Sequence, residues 1–323
     1  MEESYRKRWS VVVLAGGPSA ERAISLESGQ AVAEALRERG HRVRLLDPAR
    51  ESLEKFAWET VDAAFIALHG EYGEDGQVQR QLEKLGVAFT GAGAEASAVA
   101  FSKSAAKERF VRHGVPTPEY VLVERQQERS ELKQKVAQLG LPLVVKPDRQ
   151  GSSIGVSWVR DWEEFFPALD LCFRYGCRGV VERAIEGEEW TVALLDELVF
   201  PPLKIVPAVG YFDYKAKYED QRTRYLFAAP GEEELAEQLV RTAQKACQAV
   251  GVTGLARVDF RVDAEERRPW VLEINTVPGM TSHSLVPKAA ARVGLSLGEL
   301  CEQMLERCLR RRRHKGGTGQ THG

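Results

Sequence analysis

Short apolar runs alternate with amphipathic stretches over the first third of the chain. Val11–Ala15 is followed by a Gly-Gly-Pro turn and then by a stretch in which Ala31, Val32, Ala35 and Leu36 share one helical face. Strands that alternate with helices predict parallel βαβ units, with ligand-binding loops at the carboxyl ends of the strands. GxGxxG does not follow the first strand, so a dinucleotide site is not indicated. Further elements are predicted at Val43–Leu46, Ala63–Leu68 and Gln77–Leu85.

The pattern changes after the segment 114–118, which contains two prolines. The runs that follow predict antiparallel strands packed with helices. The predicted strands are Leu143–Lys146, Val156–Val159, Gly179–Glu182, Leu255–Val262 and Trp270–Ile274, the last two forming a hairpin. The predicted helices are Ser130–Leu139, Asp161–Arg174, Glu232–Val250, Val286–Arg292 and Leu297–Leu309. The basic, Gly-rich end of the chain is predicted to be a frayed, solvated tail.

Composition narrows the class of protein. With 323 residues, 43% of them hydrophobic, the chain is predicted to be globular, with two or three domains. A net charge of −2 gives no electrostatic reason to expect a nucleic acid or an anionic membrane as partner. The apolar runs are too short for a signal peptide or a membrane span. The five cysteines form no CxxC pair, which favours free thiols in a reducing, cytoplasmic setting.

The predicted hairpin carries polar residues at alternate positions. Side chains alternate between the two faces of a strand, so Arg257 shares a face with Asp259, and Glu273 shares one with Asn275. If the connecting loop is symmetric about Glu266, Asp259 lies opposite Glu273 and Arg257 opposite Asn275. The apolar residues Val258, Phe260, Leu272 and Ile274 then pack on the other face and enforce this register. Two carboxylates and an amide oxygen on one face predict a Mg²⁺ site; the plain alternative is a surface ladder of ion pairs.

A glycine-rich loop, residues 146–155, joins two of the predicted strands. Glycines allow the backbone to approach a polyphosphate, hydroxyl and amide groups bind its oxygens, and Lys146 adds positive charge. The loop lacks the P-loop pattern, and a plain hairpin turn is the alternative. Lys103 and Lys217 are further candidates for phosphate contacts. Glu182 ends an apolar strand, and residues 182–185 are candidates for backbone pairing with a purine edge.

Taken together, these motifs resemble the D-alanine–D-alanine ligases of the ATP-grasp superfamily. The resemblance runs from Gly16–Arg22 to Leu285–Pro287, over almost the whole chain. It includes His69-Gly70 with Gly73–Gly76, the loop at 146–155, Tyr214–Tyr218 and Glu273–Ser284. It implies an α/β fold with an N-terminal parallel βαβ (Rossmann-like) domain (1–105), a central α+β subdomain (106–187) and a C-terminal α+β domain (188–310). A disordered tail at 311–323 completes the expected organisation.

The resemblance also implies a nucleotide and metal site between the central and C-terminal domains. ATP is the implied substrate, with Mg²⁺ or Mn²⁺, two ions in all. The implied metal ligands are Asp259, Glu273 and Asn275. The implied nucleotide contacts are Lys103, Lys146, Ser153, Glu182, Arg183, Ile185, Glu189 and Lys217. Arg183, Lys215, Phe212 and Ala184 depart from residues common in the family.

The implied reaction joins two D-alanine molecules through a D-alanyl phosphate, for peptidoglycan precursor synthesis. The resemblance assigns Glu21 and His69 to the first D-alanine, and Ser284 and Leu285 to the second. It assigns Glu21, Ser152 and Tyr218 to a hydrogen-bonded triad, and Arg257 and the Gly279 N–H to the tetrahedral intermediate. A homodimer is expected, and the polar segment Gly210–Arg222 is expected to be a lid. Alternatives are an ATP-grasp relative with another acceptor, such as D-lactate, a carboxylase, or a non-catalytic nucleotide-binding module.

Overall fold

Three parallel strands near the amino end form the first sheet. The computed structural model describes residues 7–207 and 222–317, with side chains to Arg313. The central strand β1 (Ser10–Leu14) pairs in parallel with both neighbours and has four buried residues, so the predicted βαβ arrangement is confirmed. The other elements here are β2 (Arg42–Leu46), β3 (Ala63–Ile66), α1 (Arg22–Glu38), α2 (Gln77–Lys84), α3 (Ala94–Phe101) and α4 (Lys103–Arg112). Both α3 and α4 are additions to the predicted elements, and α4 spans the expected domain boundary at 105/106.

Helix α1 lies very close to β1. Its buried face consists of Ser25, Ser28, Gly29, Val32, Ala33 and Leu36, spaced by three and four residues. The predicted face was rotated from this one, because Ala31 and Ala35 are only half-buried. Small residues allow the approach: a Cβ added at Gly29 would lie 2.2 Å from the Ala15 Cβ. The close packing holds the start of α1 beside the carboxyl end of β1.

Four antiparallel strands form the second sheet, in the order β4-β7-β5-β6. The predicted antiparallel arrangement is confirmed, and β4 is an added edge strand. One face packs against two helices around a core that includes Val145, Phe165 and Val181. The elements are β4 (Tyr120–Glu124), α5 (Arg129–Ala137), β5 (Leu143–Pro147), β6 (Ser157–Val159), α6 (Trp162–Cys172), a short 3₁₀ turn (Phe173–Tyr175) and β7 (Arg178–Arg183).

A six-stranded sheet forms the third layer, in the order β11-β10-β8-β12-β13, with β9 on β8. Its neighbouring strands are antiparallel, and α7 packs against β8, β12 and β13. The helices α8 and α9 lie beside the first sheet and share its core, where Val13 and Leu305 are both fully buried. The elements are β8 (Gly187–Leu195), β9 (Leu198–Val199), β10 (Leu203–Val206), β11 (Arg224–Phe227), α7 (Glu233–Val250), β12 (Leu255–Asp263), β13 (Pro269–Asn275), α8 (Leu285–Arg292) and α9 (Leu297–Gly317).

The β12–β13 hairpin has the predicted register at its polar end. Arg257 lies opposite Asn275, and Asp259 lies opposite Glu273. Immediately after Asp259 the register shifts by one residue, so that Phe260 lies opposite Val271. The loop is therefore not symmetric about Glu266 as predicted. Because of this bulge Val271 is fully buried, whereas Leu272, predicted to lie in the core, is only half-buried.

Helix α9 continues well beyond Leu309, where the prediction ended it. It reaches Gly317 and so takes in the first seven residues of the predicted disordered tail. An ion pair between Arg311 Nη1 and Asp196 Oδ1, 3.2 Å apart, holds this extension against the turn between β8 and β9. The described helices include none that is long and apolar enough to cross a membrane.

Candidate active site

A cavity of about 100 Å³ lies where the first sheet, the loop after β5 and the β12–β13 hairpin meet. Several of the residues that line it come from distant parts of the sequence and were predicted to be site residues. These residues are Glu21, His69, Ser152, Arg257, Glu273, Asn275, Gly279, Ser284 and Leu285. The fold therefore brings together residues that the resemblance assigned to the two D-alanine molecules, to the metal and to the reaction intermediate.

Glu21 immediately precedes α1, and its side chain faces the glycine-rich loop. Ser152 Oγ donates a hydrogen bond to Glu21 Oε1 across 131 residues of sequence. Two glycines leave room for the carboxylate: an added Cβ would lie 2.6 Å from Glu21 Oε2 at Gly70 and 2.8 Å at Gly151. Ser152 has φ +50°, a left-handed conformation uncommon in non-glycine residues. Tyr218, the third member of the expected triad, lies outside the described residues.

His69 joins the end of the first sheet to the loop at 276–284. Its Nδ1 lies 2.9 Å from Val277 O, and its Nε2 lies 3.0 Å from Ser28 Oγ. The Met280 N–H donates to Ser28 Oγ at 3.3 Å, which leaves the hydroxyl proton of Ser28 for His69 Nε2. The Nδ1–H therefore donates to the Val277 carbonyl oxygen, and Nε2 bonds the Ser28 hydroxyl group. The buried network thus fastens the loop that carries Gly279 and Ser284.

Glu74 is a cavity residue to which the sequence prediction assigned no role. Burial raises the pKa of its carboxyl group, and Glu21 raises it further, although His69 and the Gly70 N–H oppose them. The contacts are 3.8 Å from Glu74 Oε1 to His69 Nδ1 and 3.2 Å from Gly70 N to Glu74 Oε2. Its position in the Gly73–Gly76 motif was a signal that could have marked it.

Asp259 is the centre of a hydrogen-bonded group on the polar face of the hairpin. Arg257 donates to both oxygens, from Nε to Oδ1 at 2.8 Å and from Nη2 to Oδ2 at 2.7 Å. Asn275 Nδ2 donates to Oδ2 at 2.9 Å, and Thr191 Oγ1 on β8 donates to Oδ1 at 2.7 Å. The predicted juxtaposition of Arg257, Asp259 and Asn275 on one face is therefore present.

The chemistry of this face fits a hard divalent cation. Asp259, Glu273 and Asn275 offer two carboxylates and an amide oxygen, which suit Mg²⁺ or Mn²⁺. Over the residues that the structure describes, no three His, Cys, Asp or Glu side chains are grouped to hold a metal by themselves. The residues therefore fit an ion that takes its remaining ligands from phosphate oxygens and water, as Mg²⁺ at a nucleotide does.

The glycine-rich loop is anchored on the amino end of α4. Asp148 accepts hydrogen bonds from the Ser104 N–H at 2.7 Å and from Ser102 Oγ at 3.1 Å. At the same helix end, Lys103 Nζ donates to Gln150 O at 2.7 Å and pairs with Glu273 Oε2 at 3.2 Å. Lys103 therefore lies between the loop and the polar face of the hairpin and contacts both.

Lys146 and Glu182 meet on the face of the second sheet opposite its helix-packed core. Lys146 Nζ donates to Glu182 Oε1 at 2.5 Å, and both side chains are buried. Burial alone would raise the pKa of Glu182, but the ammonium groups of Lys107 and Lys146 outweigh it and lower that pKa. Glu182 thus stays negatively charged at neutral pH, beside the strand end predicted to meet the nucleotide.

The other predicted nucleotide residues follow the same strand end. Arg261 Nε donates to Ile185 O at 3.2 Å, and Arg261 Nη1 lies 3.7 Å from Glu189 Oε2, so these two predicted residues share a partner. Arg183 is exposed, and Ser153 has φ +57°. Lys217 lies outside the described residues.

Lys107 and Arg261 lie next to the site, and the sequence analysis did not identify them. The sequence spacing of each residue from a predicted site residue could have indicated it. Lys107 follows Lys103 by four residues, which puts both on one side of α4. Arg261 follows Asp259 by two residues, which puts both on one face of β12. Strand parity and helix spacing, applied one step further, would have found each of them.

Two antiparallel sheets, one carrying Lys146 and the other carrying Glu273, with Lys103 paired to Glu273, match the arrangement of an ATP-grasp enzyme. Family models described as D-ala D-ala ligase N-terminus and C-terminus match residues 46–92 and 110–306. The chain is 42% identical to the D-alanine–D-alanine ligase of Gloeobacter violaceus over 300 residues, 93% of this chain and 99% of that one. The chain belongs to the D-alanine–D-alanine ligase family.

Other relatives agree in sequence and in structure. The D-alanine–D-alanine ligase of Synechococcus sp. (strain JA-3-3Ab) is 43% identical over 307 residues, 94% of each chain. The crystal structure of D-alanine–D-alanine ligase from Bacillus anthracis superposes with a TM-score of 0.84 at 33% identity, covering 95% of this chain and all of that one. The Bacillus anthracis enzyme complexed with ATP gives a TM-score of 0.82 at 30% identity, over 95% of this chain and all of that one. The expected ATP-grasp fold is thus confirmed over nearly the whole chain.

Proposed function

We propose that the chain joins two D-alanine molecules into D-alanyl-D-alanine, with conversion of ATP to ADP and phosphate, for peptidoglycan precursor synthesis. The observation that carries this proposal is the single cavity in which Glu21, Ser152, Arg257 and Gly279 converge. A site for nucleotide alone needs no buried carboxylate joined to a serine on the far side of the cavity. The cavity volume, about 100 Å³, suits a molecule of amino-acid size.

ATP would lie between the second and third sheets. The proposed contacts are Lys103, Lys146, Ser153, Glu182, Arg183, Ile185, Glu189 and Lys217. Asp259, Glu273 and Asn275 would hold Mg²⁺ or Mn²⁺, two ions in all, which would neutralise charge on the transferring phosphoryl group. Support comes from the position of Lys103, whose ammonium group contacts both the glycine-rich loop and Glu273.

The first step activates a carboxylate. A carboxylate oxygen of the first D-alanine forms a bond to the γ-phosphorus of ATP, the bond to the ADP oxygen breaks, and D-alanyl phosphate results. Glu21, with His69 nearby, would bind the ammonium group of this D-alanine. The hydrogen bond from Ser152 fixes the Glu21 carboxylate in one orientation, so that little is lost in ordering it when the substrate binds.

The second step forms the peptide bond. The amine of the second D-alanine, after losing a proton, attacks the acyl carbon, and phosphate leaves with the C–O electron pair. Arg257 and the Gly279 N–H would stabilise the oxyanion that forms before phosphate leaves. Ser284 and Leu285 would bind the carboxylate of the second D-alanine; they lie where the loop after Gly279 ends and α8 begins, and His69 and Ser28 hold that loop in place.

The decisive experiment measures phosphate release from ATP with D-alanine, L-alanine or D-lactate, together with product analysis. We expect rapid phosphate release and dipeptide formation with D-alanine, and little of either with the other two alone. Robust depsipeptide formation from D-alanine and D-lactate at neutral pH would favour the D-lactate ligase. ATP binding without phosphate release under any condition would favour the non-catalytic module.

Three further expectations remain proposals. Domain boundaries at 105/106 and 187/188 can be tested by limited proteolysis followed by mass spectrometry of the fragments. The homodimer can be tested by light scattering at several protein concentrations. The cytoplasmic location can be tested by fractionation of the source cells, with an antibody against the chain.

A further inference from the structure

Lys107 is a lysine buried beneath the proposed nucleotide site. It lies on α4, one helical turn after Lys103, and its side chain has no exposed surface. A charged side chain is seldom buried to this extent unless its charge is paired and its protons are bonded. Burial lowers the pKa of its ammonium group to about 8, while Glu182 opposes this shift and Lys146 adds to it.

Three acceptors surround the ammonium group of Lys107. Nζ donates hydrogen bonds to Thr117 Oγ1 at 2.8 Å and to Pro118 O at 3.2 Å. Its third neighbour is Glu182 Oε2, 2.8 Å away. This contact is an ion pair whose geometry does not meet the angles of a hydrogen bond. The ring of Tyr120 closes the site, with its centroid 5.1 Å from Nζ. Each proton of the ammonium group therefore has an acceptor close by.

The partners of Lys107 connect it to both of the sheets that flank the proposed nucleotide site. The Glu182 carboxylate is shared, since its Oε1 accepts from Lys146 Nζ at 2.5 Å. On the other side, Thr117 Oγ1 donates to Val271 O at 2.8 Å, and Val271 N donates to Pro116 O at 2.8 Å. Val271 lies at the bulge in β13, two residues before Glu273. Lys107 thus connects the second sheet to the strand that carries Glu273.

Stability alone gives a weak reason for such an arrangement. The cost of desolvating two charges commonly offsets their attraction, and apolar residues of similar volume are often as stabilising. The charge balance points instead to the ligand. The single carboxylate of Glu182 contacts the ammonium groups of two lysines, Lys107 and Lys146. One carboxylate does not neutralise both, so positive charge is left at Lys146 to attract the phosphates.

We propose that Lys107 is a positioning residue for the nucleotide, which holds Glu182 and, through it, Lys146 in the orientation that receives the phosphates of ATP. The proposal rests on the proposed function, because Lys146 and Glu182 contact a nucleotide only if the chain binds ATP. Lys107 itself does not touch the reacting atoms; it acts through Glu182. Without it, Lys146 is the sole described cation paired with that carboxylate and is drawn away from the phosphates.

The test is a double-mutant cycle of Lys107→Met, Glu182→Gln and the two combined. The dissociation constant for ATP is measured by displacement of a fluorescent ATP analogue, and KM is measured for ATP and for D-alanine. We expect Lys107→Met to weaken ATP binding about tenfold with little change in the KM for D-alanine. In the Glu182→Gln background, Lys107→Met should add almost nothing. Lys245→Met is the matched control, because Lys245 Nζ bonds Gly114 O just past α4, away from Glu182.

Stability is followed separately by urea unfolding. The combined variant removes the Lys107–Glu182 charge pair but leaves Lys146 buried without its carboxylate partner, so we expect it to be less stable than the wild type while its ATP affinity stays low. If Lys107→Met alone does not fold, Thr117→Val replaces it, with an expected loss of about threefold in ATP affinity. Unchanged ATP affinity in that variant, or additive losses in the cycle, would overturn the role of Lys107. Failure of the wild type to bind ATP would overturn the proposed function, and this inference with it.

Discussion

Two cavities of the molecule differ greatly in size. The cavity that contains Glu21 and Arg257 holds about 100 Å³, whereas a cleft beside the carboxyl end of α4 holds about 970 Å³. In the smaller cavity, hydrogen bonds join residues far apart in sequence, such as His69 and Val277. In the larger cleft, His113 is exposed, and its described bond is to Arg109 O one turn earlier. In this molecule the candidate active site is identified by buried polar groups that converge from distant parts of the sequence, and not by the volume of the cavity.

The difference has a physical basis. A buried polar group must be hydrogen-bonded, so a buried network is specified by several elements at once and is costly to disturb. An exposed side chain at a helix end is satisfied by water and is specified by little else. Substitutions in the smaller cavity should therefore change activity or stability strongly, and substitutions of exposed side chains in the larger cleft, such as His113, should not.

The largest contrast is expected at carboxylates. We predict that Glu273→Gln nearly abolishes turnover and weakens Mg·ATP binding while the fold stays intact, because the proposed metal ligand, which also pairs with Lys103, loses its charge. Phosphate release as a function of Mg²⁺ concentration measures this effect. Glu95→Gln in the larger cleft is the control, since Glu95 is highly exposed. Unchanged activity at limiting Mg²⁺ would remove Glu273 from the set of metal ligands.

Arginines give the second contrast. We predict that Arg257→Ala lowers kcat by about 10²–10³, as the loss of one preorganised donor to an oxyanion does, and raises the KM for ATP much less. Arg109→Ala in the larger cleft serves as the control. Steady-state kinetics with saturating D-alanine separate the two constants. A variant whose only defect is weaker ATP binding would make Arg257 a ground-state contact.

Serines give a smaller contrast, in stability. We predict that Ser28→Ala lowers the free energy of unfolding by about 1–3 kcal/mol, because it leaves His69 Nε2 and the Met280 N–H buried without this partner. Urea unfolding measures the loss, and the KM for D-alanine should rise with it. Ser97→Ala is the control, since the hydroxyl of Ser97 makes a long bond of 3.4 Å to Ala92 O. If both variants lost the same free energy of unfolding, the hydrogen bonds of Ser28 would contribute no more to stability than the long bond of Ser97.

The sequence predicted the polar end of the hairpin and failed a few residues away. Strand parity placed Asp259 opposite Glu273 because charged residues must share a face away from the core. Parity carries no information about an inserted residue, so the bulge after Asp259 and the burial of Val271 were missed. The partners of His69 and of Lys107 come from distant segments, and no local pattern indicates such contacts. The resemblance supplied the roles of Glu21 and Ser152, which spacing alone does not.

The smallest effect is expected at His113, and it is the sharpest test of the comparison, because His113 lines the larger cleft at the carboxyl end of the helix that also carries Lys103. Lys103 and Lys107 lie in the first half of the helix, and Arg109 and His113 lie at its carboxyl end. His113 is exposed and bonds only within its own helix end among the described contacts, so His113→Ala should change the free energy of unfolding by less than about 0.5 kcal/mol. The KM for ATP should also stay as in the wild type, since nothing described connects His113 to Lys103 except the helix itself.

Parallel ATP titrations of His113→Ala and Lys107→Met, with unfolding curves for both, make the measurement. A clear rise in the KM for ATP in His113→Ala, at unchanged stability, would show that the larger cleft communicates with the nucleotide site along α4, and the two clefts would then have to be treated as one system.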